Sequence, residues 1–80
     1  MATLETLFEV EIQDKLREAL KRHRKAANLS QRSLARELGQ AHSFVNKVES
    51  GGQRLDVSQF IRWCYCCSAS PADVMREVSD

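Results

Sequence analysis

Residues 31–50 read QRSLARELGQAHSFVNKVES and hold the most specific local signal in the chain. Leu34, Ala35 and Leu38 fall on one face of a first short helix. Ser30, just before it, carries the side chain of an N-cap. Gly39 supplies a turn, at a position where positive φ is cheap only for glycine. A second helix is predicted from about Ala41 to Ser50, with Val45 and Val48 inward, and Gly51-Gly52 ends it. Ala35 is small enough for the second helix to cross the first closely. Leu34, Leu38, Val45 and Val48 then lock the pair.

Helical periodicity continues outward on both sides. Leu4, Phe8, Ile12, Leu16 and Leu20 recur every four residues, with Leu7, Ala19 and His23 beside them. Two readings fit: one long helix over about 4–26, or a short arm followed by a main helix that Asp14 caps. The acidic start and basic end suit the helix dipole in either case. Asn28 stops the helix, because asparagine tolerates the left-handed conformation of a C-cap. On the other side, Leu55 is an apolar anchor in a loop. Asp56 caps a fourth helix on which Val57, Phe60, Ile61, Cys64 and Cys67 share a face. Ser70-Pro71-Ala72-Asp73 starts a fifth, with Ser at the N-cap, Pro at the first position and an acid at the third. Val74, Met75 and Val78 are placed to seal the bundle. The expectation is an all-α fold of five short helices, with residues 1–13 an N-terminal helical extension and 14–80 the domain.

Composition bounds what such a chain can do. Eighty residues make one small domain, and 42% hydrophobic with 29% charged residues suits a soluble globule. No apolar run approaches the ~18 residues of a membrane span. No basic region followed by an apolar stretch opens the chain, so no secretory signal is expected. So small a domain rarely has volume for a buried catalytic pocket, and an enzyme is not expected. Cys64, Cys66 and Cys67 form one odd-numbered cluster, too close for a disulfide framework and without a second ligand pair for zinc. They read as small buried apolar residues suited to a reducing cytosol, with no metal and no cofactor expected. A reactive thiol is the alternative.

The net charge of +1 hides a segregation. Residues 1–14 carry four acids and no Lys or Arg, residues 15–54 carry ten Lys and Arg against three acids, and residues 55–80 carry two Arg against four acids. A basic middle between acidic ends suggests a polyanion-binding face, a solvated helix surface being the plainer reading.

Small at Ala35, glycine four residues later and an apolar residue six beyond that is the pattern of a helix-turn-helix. The chain resembles the phage repressor and Cro-type, or xenobiotic response element, helix-turn-helix family over about residues 14–78. The resemblance rests on Leu29-Ser30-Gln31, Leu34-Ala35, Leu38-Gly39, Ser43-Phe44-Val45, Lys47-Val48-Glu49 and Gly51, with Arg54-Leu55-Asp56 and Ser70-Pro71 in support. It implies a compact five-helix, repressor-like bundle that binds double-stranded DNA in the cytoplasm.

Roles follow position by position. Gln31 resembles the family's phosphate-contacting glutamine and Arg54 its phosphate contact in the loop, with Arg32 a further backbone candidate. His42, Ser43, Asn46 and Lys47 fall where the recognition helix meets base edges. Asparagine can pair with adenine in bidentate fashion, and lysine can donate to guanine. Glu49 resembles the acid that pairs with an arginine of the first helix, here Arg24, as a structural salt bridge. Phe44 is expected to pack in the motif's own core, and Lys21, Arg22 and Lys25 to form a solvated stripe. His23 reads as partly buried packing, and Trp63 and Tyr65 as core-edge or dimer-contact residues. Ala41 departs from the usual Ser or Thr at the head of the recognition helix, Gln40 from an apolar residue, His23 from leucine and Asn28 from glycine.

The resemblance implies a sequence-specific transcriptional regulator, in particular a repressor. One such module buries too little surface for tight specific binding, so a homodimer on an inverted repeat is expected. Leu4, Leu7 and Phe8, or Trp63, Met75 and Val78, are the candidate dimer contacts. A protein-interaction module on the same fold, holding a toxin or a larger regulator, is the alternative. A thiol redox sensor is a third reading.

Overall fold

The computed structural model describes residues 3–80; residues 1 and 2 of the expected extension lie outside the described residues. Five α-helices follow in order: α1 Leu4–Ala26, α2 Gln31–Glu37, α3 Phe44–Ser50, α4 Val57–Cys66 and α5 Pro71–Ser79. Of the two readings of the N-terminus, the structure takes the single long helix. Its N-cap is Thr3, whose side chain accepts from the Thr6 N–H. Asp14 lies mid-helix and pairs with Arg17 one turn on.

Local chemistry sets most helix ends. Ser30, Asp56 and Ser70 each accept a backbone N–H three residues ahead, at 3.0, 2.8 and 3.3 Å. Asp56 forms a full capping box, since Gln59 accepts in return from the Asp56 N–H. Those hydrogen bonds hold the Asp56 carboxyl below its ordinary pKa, the Gln59 N–H contributing most. Asn28 (φ 59°) and Gly39 (φ 68°) take the left-handed conformation after α1 and α2. Ser68 also does so after α4, at φ 55°, where the sequence gives no warning.

The core joins all five helices. Leu20 of α1, Leu34 and Ala35 of α2, Val45 and Val48 of α3, Trp63 and Cys64 of α4, and Val74 and Val78 of α5 are all buried. Burial of each large apolar side chain contributes roughly 1.5–3 kcal/mol. Helix α1 packs on α3, α4 and α5, while α2 packs on α3 and α4.

Four expectations are corrected. The third helix begins at Phe44 rather than near Ala41. Ala41 has no side-chain oxygen to cap with, and its carbonyl accepts from the Phe44 N–H at 3.0 Å, so residues 41–43 form a turn. Trp63 is not a core-edge or dimer residue: it has no exposed surface, and its indole N–H donates to the Leu20 carbonyl at 3.3 Å. Val57, at the first position of α4, lies beyond the core and is exposed, so the inward face runs Phe60, Trp63, Cys64, Cys67. Val78 is buried, whereas Met75 points outward. That leaves no continuous apolar face of Trp63, Met75 and Val78 for a second copy.

Candidate nucleic-acid interface

Helix α3 splits cleanly by side. Phe44, Val45 and Val48 enter the core, and Asn46, Lys47 and Ser50 face solvent. Phe44 is therefore spent on packing. His42 and Ser43 are exposed as well, but in the turn ahead of the helix. The first helical bond joins the Lys47 N–H to the Ser43 carbonyl at 3.0 Å, which seats Ser43 directly below Lys47. At the far end Gly51, at φ 89°, turns the chain back, and the Lys47 carbonyl accepts from the Gly52 N–H at 2.8 Å.

A hydrogen-bonded chain ties this outward face to the interior. Arg24 and Glu49, with side chains only 8% and 4% exposed, form a two-point ion pair at 2.7 Å (Nε to Oε2) and 3.1 Å (Nη2 to Oε1). Arg24 also donates to the Leu29 carbonyl at 2.7 Å, which pins the α1–α2 connection. The Gln31 amide donates to Glu49 Oε1 at 3.0 Å, and its own Oε1 accepts from Asn46 Nδ2 at 3.4 Å. Gln31 at the head of α2 and Asn46 on α3 are thus neighbours with fixed amide orientations. The second Asn46 N–H and its oxygen remain for a ligand in front of the face.

The remaining predicted residues lie apart from that chain. Arg32 is exposed on α2. Arg54 is exposed in the loop before α4, and its Nη1 lies 2.8 Å from Glu9 on the N-terminal part of α1. Glu9 was missed by sequence reasoning. The two residues are 45 positions apart, and they meet only because α1 continues unbroken toward its start. The segregation of acids at the N-terminus from bases in the middle was the one available signal.

Cys64 and Cys67 are buried, and Cys66 is half-buried beside them. Burial pushes the Cys64 and Cys67 thiols up to about 11, and the half-buried Cys66 is also raised, chiefly by burial and then by Glu37. Among the described residues, no group of three or more His, Cys, Asp or Glu converges to hold a metal ion.

A helix-turn-helix family model matches residues 20–64. An XRE-family like protein from Pseudomonas syringae pv. tomato has the same fold at a TM-score of 0.81 and 32% identity, over 94% of this chain and 90% of that one. Two crystal structures of the clp gene regulator ClgR from Corynebacterium glutamicum superpose at TM-scores of 0.77 and 0.76 with 24% identity. They cover 85% of this chain in both cases, and 72% and 87% of theirs, a likeness of fold. No curated protein matches significantly. The matched span takes in α2, the turn at Gly39 and α3, together with Leu20 and Arg24 beneath them, and the chain belongs to the Cro/C1-type helix-turn-helix family, whose motif enters the major groove of duplex DNA.

Proposed function

We propose that the protein is a sequence-specific regulator of transcription that binds double-stranded DNA as a homodimer on an inverted repeat and acts as a repressor by occupying it. The observation that carries this reading is the outward face of α3, where Asn46 is held by Gln31 and neither residue is shielded by an exposed acid on the same face. The nearest carboxylate, Glu49, is buried and neutralised by Arg24.

With α3 in the major groove, Asn46 presents one N–H and its oxygen to the N7 and N6 edge of an adenine. Lys47, one residue on, donates to guanine O6 or N7 or to a phosphate. His42 and Ser43 approach from the turn at the head of the helix and meet base edges or the flanking sugar-phosphate. Gln31, Arg32 and Arg54 take backbone phosphates and set the register of the domain on the duplex. Family membership supports the DNA-binding part of this reading. The two-fold arrangement follows from the small surface one module can bury.

The test is a titration of duplex DNA carrying a selected site and its single-base variants. Asn46→Ala and Lys47→Ala are expected to lose discrimination at particular base pairs by about 1–3 kcal/mol each, with little change elsewhere. A uniform loss at all sequences from Asn46→Ala would overturn its assignment to base reading.

A further inference from the structure

We propose that the first turns of α1 form the self-association helix of this protein, with Leu4, Leu7 and Phe8 packing against the same residues of a second copy in an antiparallel crossing. The inference rests on the homodimer reading above and supplies the interface that reading lacks.

Leu4, Leu7 and Phe8 are 85%, 57% and 65% exposed. At about 100° per residue they occupy a single stripe. That stripe points away from the side of α1 on which Leu16, Leu20 and Arg24 meet the bundle. Contact of α1 with the core begins only at Ile12. The next outward positions, Glu11, Lys15, Glu18 and Arg22, are charged, so the apolar stripe ends where the bundle begins. Val10 sits to one side, on a groove of about 340 Å³ shared with Arg54 and Leu55. The other exposed large apolar residues, Val57, Tyr65 and Met75, are spread over α4 and α5.

Charge selects the occupant. Glu5 and Glu11 border the stripe, which disfavours DNA and anionic lipid surfaces. A parallel pair of copies would place each acid against its own duplicate. An antiparallel pair with Leu4 opposite Phe8 sets Glu5 beside Leu7 and carries Glu11 beyond the start of the partner's α1 at Leu4, so no acid meets an acid. The same arrangement opposes the two helix dipoles. It is also isologous, as a closed two-fold dimer requires.

Area sets the strength. The three side chains expose on the order of 400 Å² of apolar surface per copy. With their flanks, two copies bury about 1,000 Å², at the low end for a specific interface. A dimer of roughly micromolar dissociation constant is expected, which paired half-sites on DNA would then reinforce.

The experiment is sedimentation velocity on the full chain from about 1 to 200 µM, alongside binding to a half-site and to an inverted repeat. The unaltered chain is expected to dimerise. Leu7→Glu and Phe8→Glu are expected to keep the helical circular dichroism and to weaken the dimer at least about 50-fold, since each change acts twice across the two-fold axis. Tyr65→Glu and Met75→Glu are expected to leave it intact. Leu7→Glu should bind a half-site within about twofold of the unaltered chain and lose the gain from the second half-site. A chain that stays monomeric throughout, a dimer that survives Leu7→Glu and Phe8→Glu, or one broken by Tyr65→Glu overturns the proposal. A dimer lost in Leu7→Glu with no DNA bound by any variant would instead uphold the interface and defeat the DNA-binding reading.

Discussion

Replacing Glu49 by alanine removes the acceptor of the buried ion pair and leaves the Arg24 guanidinium enclosed, with the Leu29 carbonyl as its remaining protein partner. The side chains of both residues are more than nine-tenths buried, so water cannot substitute for the lost carboxylate. Breaking such a pair costs about 3–5 kcal/mol, most of it the penalty of an uncompensated buried charge. A domain of this size has total stability of roughly 4–12 kcal/mol, so the variant should sit near the threshold of folding. At about 4–8 °C per kcal/mol the melting temperature should fall by roughly 12–40 °C. Urea unfolding followed by far-UV circular dichroism, with Trp63 fluorescence as a second probe, measures the change. The paired substitution Arg24→Met with Glu49→Leu removes both charges and is expected within about 1 kcal/mol of the unaltered protein. A loss below about 1 kcal/mol for Glu49→Ala would refute the reasoning, because it would mean that solvent reaches the guanidinium freely.

Arg54→Ala should weaken binding to all DNA sequences alike and flatten the dependence of log affinity on log salt by about one unit. Glu9→Gln releases Arg54 from its 2.8 Å partner and removes a negative charge beside the phosphate path, so it should tighten DNA binding about two- to tenfold at low salt, read by fluorescence anisotropy. Gly39→Ala places a Cβ at φ 68°, where open space surrounds it; the backbone strain alone should cost about 1–2 kcal/mol in the same urea experiment. Cys64 and Cys67, raised from 9.0 to about 11, stay protonated in the folded protein at pH values where the unfolded chain ionises them. Their contribution is constant below about pH 9, and stability falls as pH rises from about 9 towards 11. Replacing both by alanine should flatten that slope in pH-dependent urea titrations, while maleimide labelling of the native protein should reach Cys66 first.

What could be read from the sequence was set by short-range chemistry. Ser30, Asp56 and Ser70 mark helix starts because a capping oxygen acts only three residues ahead. Asn28 and Gly39 mark ends because few residues adopt positive φ at low cost. The inward faces of α2 and α3 follow from apolar spacing alone. The start of α3 was misplaced because Ala41 gives no capping signal, and the turn over 41–43 depends on a single backbone bond. Trp63 was misplaced because an aromatic with a polar tip suits an edge as well as an interior; only the Leu20 carbonyl, 43 positions away, decides between them. The links from Glu49 to Gln31 and from Gln31 to Asn46 depend on how α2 and α3 cross, and that from Glu9 to Arg54 on how far α1 continues. Periodicity carries none of these. The residues proposed to meet DNA were legible as types and positions, and their coupling was not.

The central claim, sequence-specific recognition of duplex DNA through α3, is tested most directly by selecting binding sites from a random duplex pool and following affinity across salt concentration. The account predicts enrichment of an inverted repeat with half-site centres about 10 base pairs, or a multiple of one helical turn, apart, and an adenine at the position that Asn46→Ala no longer reads. Binding without enrichment of any sequence, or no binding even at low salt, would contradict it.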